Sequence, residues 1–208
     1  MSPDQDAPEA RLPIVVAVTG ASGAVYAQRL VQHLLASDWR VLLTVSAAGR
    51  VLLKEELPED DARDPWGDVA RERLEIYHDK DLYAPFCSGT FRFHGLVVVP
   101  ATMGTVGAIA SGAGSNNIHR GADVALKERR PLIVVPRETP LSTIHLQNLL
   151  TIAQAGGIVL PPNPAFYQQP RSLHDIVDFV VSRILDALGI DNDLFKRWGD
   201  DPGRPIET

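Results

Sequence analysis

The sequence predicts an α/β fold: a Rossmann-like, doubly wound, mostly parallel sheet with helices on both faces, in a single domain. Three observations predict it. Short apolar runs that end in turn or small polar residues recur along the chain, and helical periodicity fills the longer segments between them. A hydrophobic content of 45% in 208 residues is enough for one substantial core. The first strand is Ile14-Val-Val-Ala-Val18, an uninterrupted apolar run of the kind covered on both faces. It runs into Thr19-Gly20-Ala21-Ser22-Gly23-Ala24 and then a helix over Ala24 to Ala36. Val41 to Val45, Leu96 to Val99, Leu132 to Val135 and Gly157 to Leu160 repeat the strand pattern. Val106 to Gly112, Asn117 to Arg129, Ser142 to Ala155 and Ser172 to Leu188 carry apolar residues at helical spacing. Ser172 with Asp175 opens the last helix as a capping box with a shorter acid, and Gly189 closes it.

Pro58 to Gly95 breaks this rhythm, being charged in its first half and aromatic with Gly and Ser in its second. It reads as an excursion with an irregular strand near Leu74 to Tyr77 and a functional or mobile loop from Tyr83 to Thr90. The domain is expected to span residues 13–190, between a disordered N-terminal segment, 1–12, and a C-terminal tail, 191–208.

Composition narrows the function classes. Twenty basic against 26 acidic residues, net charge −6, argues against a nucleic-acid-binding surface and leaves room for a local basic pocket. The lone Cys87 excludes an internal disulfide framework and a cysteine-based zinc site. The six histidines show no H-x-x-x-H or comparable spacing, so no structural metal is expected. The polar, acidic segment from Met1 to Arg11 lacks the apolar core of a signal peptide, and no run approaches membrane-spanning length; a soluble cytoplasmic protein is expected.

Candidate site residues gather at strand ends. The turn at Gly20, Ala21 and Ser22 allows close approach of a ligand to a helix N-terminus, or serves helix–sheet packing alone. It lacks the full G-x-G-x-x-G spacing, and the second strand ends at Ser46 rather than at an acid, which fits a mononucleotide or flavin phosphate better than NAD. Thr102, Met103, Gly104 and Thr105 form a third such turn, either a phosphate cradle or an ordinary helix cap. Three hydroxyl-bearing turns on one edge of the sheet point to a shared site.

Arg120 and Lys127 are seven positions apart, nearly two helical turns, so both leave the helix on one face and suit an anion. The bland alternative for Lys127 is a pair with Asp123, and Arg129-Arg130 reads as a solvated helix end. Arg137-Glu138 follows the fourth of the buried apolar runs, Leu132 to Val135. Glu138 either pairs on the surface or exchanges a proton with a phosphate held by Arg120, Lys127 and Arg137. Tyr167, in the Pro161–Pro170 loop, either packs or presents its hydroxyl to the same edge. Arg183 in an apolar helix either snorkels out or pairs inward.

These blocks resemble the UbiX-type flavin prenyltransferases, within the wider group of flavin-binding cysteine-decarboxylase-like proteins. The match runs from about Ile14 to Ile190 and rests on four stretches: Thr19 to Ala24, Asn116 to Arg130, Pro136 to Leu141 and Pro164 to Pro170. The resemblance implies a flavoprotein domain over 13–190 that binds reduced FMN. It implies attachment of a dimethylallyl group from dimethylallyl monophosphate across N5 and C6, for use by a separate UbiD-type decarboxylase. It further implies a homo-oligomer, a dodecamer, with the site at a subunit junction.

Carried over by position, Ser22 serves as a proton relay beside flavin N5, and Ser46 with Thr102 to Thr105 surrounds the FMN phosphate. Glu56 matches an active-site acid. Arg120 matches an arginine reaching in from a neighbouring subunit. Lys127, Arg137, Tyr167 and Arg183 match the prenyl-phosphate site, with Arg137 also counted at the flavin, and Glu138 matches the acid that assists phosphate departure. No metal is implied. Leu82 stands where several relatives have a tryptophan lining the prenyl pocket, with Tyr83 adjacent. The alternatives are an FMN-dependent cysteine decarboxylase, disfavoured by Gly104 in place of an asparagine, and a non-catalytic FMN-binding subunit.

Overall fold

The computed structural model describes residues 11–68 and 70–197. Most of the expected N-terminal segment, and the tail from Trp198 onward, lie outside the described residues. Alternating strands and helices run β1 (Ile14–Val18), α1 (Ala24–Ala36), β2 (Val41–Val45), α2 (Ala47–Glu56), α3 (Glu59–Arg63), β3 (Leu74–His78), β4 (Gly95–Ala101), α4 (Met103–Ser111), α5 (Asn117–Lys127), β5 (Leu132–Pro136), α6 (Thr143–Gln154), β6 (Ile158–Val159) and α7 (Leu173–Ala187). The strands form one parallel sheet ordered β3-β2-β1-β4-β5-β6. β1 is central, with Val16 opposite Leu43 on one side and Val97 on the other. The order reverses between β1 and β4, which opens a ligand crevice at their carboxyl ends.

The period-two alternation of side chains explains why β1 is apolar throughout. Ile14, Val16 and Val18 pack with Leu30, Leu34, Val181 and Ile184 of α1 and α7, while Val15 and Ala17 pack with Val106, Ile118 and Ala122 of α4 and α5.

Several elements differ from expectation. β3 is a regular parallel edge strand rather than an irregular one. α4 begins at Met103, because Thr102 caps it by accepting from Thr105 N. α2 and α3 emerge from segments without a clear helical pattern; α2 buries only Gly49 and Leu53, a stripe too narrow to register as periodicity. Residues 191–197 pack on α7: the Phe195 ring meets Phe179 at 4.9 Å, and Arg197 pairs with Asp186 at 2.8 Å. α6 leaves Ile144, Leu146 and Leu150 exposed, with Ile144 at 71%. No helix among the described residues is long and apolar enough to cross a membrane.

Candidate functional site

The three hydroxyl-bearing turns are joined by one chain of hydrogen bonds across the carboxyl edge. Ser46 N donates to Val18 O at 2.9 Å, and Thr19 N donates to Pro100 O at 3.2 Å. The Thr19 hydroxyl donates to Pro100 O at 2.7 Å and accepts from Thr102 N at 2.8 Å. Arg137 N then donates to Ala101 O at 3.2 Å. β2, β1, β4 and β5 are thus locked in register where the crevice opens. A Cβ on Gly20 would lie 2.4 Å from Ala48 Cβ, so this glycine serves the close packing of the first turn on α2.

Ser46 and Thr102 both act as helix caps, accepting from Gly49 N at 3.0 Å and Thr105 N at 3.1 Å. Capping does not remove them from the site, because it aims two helix N-termini, those of α2 and α4, at the same edge. The first N–H groups of each helix have no intrahelical acceptor and suit a phosphate. At α4 these belong to Met103 and Gly104, and a Cβ on Gly104 would meet only Thr102 Oγ1, at 3.9 Å. That open approach, the paired hydroxyls of Thr102 and Thr105 and the nearby Arg137 fit the phosphate of a mononucleotide.

The N-terminus of α1 is closed instead. Glu56 Oε2 accepts from Gly23 N at 2.8 Å and Ala24 N at 2.9 Å, filling the position where a dinucleotide pyrophosphate sits in related architectures. Burial pushes the Glu56 carboxyl up. The hydrogen bond from Ser22, the two backbone donors and the charge of Arg137 outweigh that, and its pKa falls below the usual value. Arg137 Nε reaches Ser22 O at 3.3 Å. Ser22, Glu56 and Arg137 therefore form one cluster at the strand ends, and Glu138 follows next in the chain, exposed, with its carboxylate accepting from Thr139 N at 3.0 Å.

The other candidate cations stand elsewhere. α5 runs antiparallel to the strands: Asn117 is anchored at the carboxyl end of β3, whereas the residue before β5, Pro131, accepts from Leu96 N at the start of β4. Lys127 therefore lies toward the opposite sheet edge from Arg137, on the order of one strand length, about 15 Å, away. Within one subunit the two do not share a phosphate. Arg120 and Lys127 do share a stripe, both lying against the loop that carries Cys87 and Gly89. Lys127 pairs with Glu128 at 2.5 Å, not with Asp123, which pairs with Arg120 at 2.5 Å.

Arg183 is exposed, pairs with Asp186 at 2.7 Å and borders a cleft of about 440 Å³ between β6 and α7. Tyr167 sits half-exposed in a 3₁₀ turn, Phe166–Gln168, beyond β6. Leu82 is exposed and Tyr83 is 98% exposed.

Some contributors escaped the sequence reading. In the sequence Thr19 reads only as part of a glycine turn. Asn117 is fully buried: its Oδ1 accepts from the Thr44 hydroxyl at 2.8 Å and its Nδ2 donates to His78 O at 2.8 Å and Asp81 O at 3.2 Å. Arg130 is not a solvated helix end; it donates to Phe91 O and Gly89 O and lies 4.4 Å over the Phe93 ring. The aromatic pair Phe91 and Phe93 was the available signal.

A parallel sheet of Rossmann order with hydroxyl-bearing turns at its switch point is an architecture of nucleotide-binding proteins, and the Flavoprotein family model matches residues 2–185, which makes the chain a flavoprotein. The flavin prenyltransferase UbiX of Methanocaldococcus jannaschii is 47% identical over 186 residues, covering 89% of this chain and 98% of that protein. The crystal structure of AnUbiX (PadA1) in complex with FMN and dimethylallyl pyrophosphate superposes with a TM-score of 0.83 at 40% identity, covering 91% of this chain and 98% of that one. A dodecameric FMN-dependent UbiX-like decarboxylase from Escherichia coli O157:H7 matches with a TM-score of 0.83 at 37% identity, over 90% and 99% of the two chains. The chain belongs to the flavin prenyltransferase UbiX family.

Proposed function

We propose that this chain is a cytoplasmic, metal-independent flavin prenyltransferase. It joins the dimethylallyl group of dimethylallyl monophosphate to N5 and C6 of reduced FMN, closes a fourth ring and releases phosphate. The product, prenylated FMN, passes to a UbiD-type decarboxylase. One observation supports the reading: the chain carries two separate groups of candidate phosphate ligands that one small ligand cannot span within a subunit. The first is the edge formed by Ser46, Thr102 to Thr105 and Arg137; the second is the α5 stripe of Arg120 and Lys127. Two phosphorylated substrates, meeting where the edge of one subunit faces the α5 stripe of another, use both. The exposed apolar face of α6 suits such a homo-oligomer, and the dodecamer of the Escherichia coli relative is the assembly proposed.

Reduced FMN supplies the nucleophilic ring atoms. The chain's residues bind, orient and move protons. Ser46, Thr102 to Thr105 and Arg137 would hold the FMN phosphate, and Gly20, Ala21 and Ser22 would complete the flavin site. Arg120 and Lys127, with Arg137, Tyr167 and Arg183 completing the junction, hold the prenyl phosphate and neutralise charge as its C–O bond breaks. Glu138 gives a proton to the departing phosphate and afterwards accepts the proton from C6. The Ser22 hydroxyl, hydrogen-bonded to the Glu56 carboxylate, relays the N5 proton. Closure of the junction keeps water from the allylic carbon.

The test is anaerobic incubation with reduced FMN and dimethylallyl monophosphate, followed by mass spectrometry of the extracted flavin. A gain of one prenyl unit is expected. An unchanged flavin mass, with FMN bound and the protein folded, overturns the proposal.

A further inference from the structure

One carboxylate near the end of α7 holds two arginines. Asp186 Oδ2 accepts from Arg183 Nη1 at 2.7 Å and from Arg197 Nη1 at 3.2 Å, while its Oδ1 accepts from Arg197 Nη2 at 2.8 Å and Asn192 Nδ2 at 3.2 Å. Arg197 is therefore the bidentate partner, and Arg183 gives a single nitrogen. Burial pushes the Asp186 carboxyl up, but the hydrogen bond and charge of Arg197, the charge of Arg183 and the Asn192 amide outweigh it and keep the group ionised. Asn192 turns its NH2 to Asp186 and Ile190 O although its own buried Oδ1 then meets no partner among the described residues. Arg197 and Asn192 both belong to the segment after α7, which is packed down through the buried Ile190 and the edge-on contact of Phe195 with Phe179. Arg183 and Asp186 are the charged residues bordering the cleft of about 440 Å³ between β6 and α7, whose other lining is apolar apart from Asn163. This end of α7 lies far from the crevice, since His94 Nε2, just before β4, donates to Leu188 O at 2.7 Å.

We infer that Arg197 is a positioning residue for Arg183: it neutralises Asp186, so that Arg183 keeps its charge for a phosphate while one of its nitrogens stays anchored. Two guanidiniums on one carboxylate leave one positive charge, and the bidentate pairing places that surplus on the singly bonded arginine, at the cleft. Anchoring also lowers the rotamer freedom that a long arginine loses when it binds an anion. Without Arg197 the carboxylate faces Arg183 alone and cancels it. The role rests on the prenyltransferase reading for the identity of the phosphate, that of dimethylallyl monophosphate, but the charge balance among the three side chains does not.

The test compares Arg197→Gln with the double variant Asp186→Asn/Arg197→Gln in the full-length protein. Three quantities are read: KM and kcat for dimethylallyl monophosphate with reduced FMN, the affinity of the FMN-bound protein for inorganic phosphate by equilibrium dialysis, and the FMN dissociation constant by flavin fluorescence. Arg197→Gln is expected to raise KM and weaken phosphate binding about fivefold, the scale of one partly exposed ion pair, with kcat much less affected. The double variant removes both charges and should return KM and phosphate affinity to within about twofold of wild type, and FMN affinity should stay within about twofold throughout. A merely structural role makes the double variant at least as impaired as the single one, and that result, or an unchanged KM in Arg197→Gln, overturns the inference. Should Arg197→Gln fail to fold, Asp186→Asn alone decides: it keeps an acceptor oxygen for Arg183, so KM at or below the wild-type value supports the charge balance and a raised KM overturns it. If the wild type makes no prenylated flavin, the prenyltransferase reading fails by itself; the same ordering of phosphate affinities still supports the role of Arg197, and equal affinities overturn it.

Discussion

Replacing Glu56 by Gln tests the closed N-terminus of α1. The amide can keep the shape and one acceptor oxygen, so Gly23 N and Ala24 N retain a partner at 2.8 and 2.9 Å while the charge is lost. A hydrogen bond to a charged group contributes about 1.5–3 kcal/mol against about 0.5–1.5 for a neutral one, or roughly 1 kcal/mol lost per bond and about 2 in total. Glu56 is largely exposed, and solvent screening brings this to about 1 kcal/mol. For a domain of this size that is a fall in Tm of about 2–4 °C at pH 7. The sign with pH follows from the lowered carboxyl pKa. Its contribution is present above the ordinary glutamate value, near 4.3, and is lost as pH falls through the folded value. Differential scanning fluorimetry of both proteins from pH 7 down to about 3.5 should show the two Tm values converging. Equal destabilisation at both ends of that range, or none at pH 7, would refute the capping argument. Tighter FMN binding in the variant would instead place the flavin phosphate at α1.

Three further outcomes are expected. Asn117→Ala removes three side-chain hydrogen bonds from a fully buried position, worth about 1 kcal/mol each; urea denaturation should show a loss of about 3 kcal/mol, and a loss below about 1 would mean that water replaces the network. Gly20→Ala drives a methyl into Ala48 and should cost about 1–3 kcal/mol and weaken FMN binding, while the double variant Gly20→Ala/Ala48→Gly recovers most of both by thermal melt and fluorescence titration. Glu138→Gln should slow single-turnover prenylation far more than it raises the FMN dissociation constant, and equal effects on both would put Glu138 in the flavin site.

Much of this architecture was legible because buried parallel strands announce themselves: β1, β2, β4 and β5 are apolar runs ended by turn residues. Strand order was not, since nothing in Leu74 to His78 says that it pairs outside β2. The same limit applied at the site. Ser22, Ser46 and Thr102 lie at strand ends, where spacing alone finds them, but Glu56 meets Gly23 across 33 residues through a helix with almost no buried stripe. Only the family resemblance singled it out. Lys127 and Arg137 are near in sequence and read as one cluster, yet a helix and a strand running in opposite directions carry them to opposite edges. Asn116 and Asn117 are chemically identical, and only the fold makes one a cap and the other a buried anchor.

The Thr19 hydroxyl, bonded to Pro100 O and to Thr102 N, stitches β1 to β4 at the floor of the crevice. Thr19 N, its hydroxyl, Pro100 O and Thr102 N are thereby spent on one another, so a ligand arriving at this edge is offered the first amides of α4 instead. A single threonine thus leaves the seam between two central strands with its polar groups answered from within.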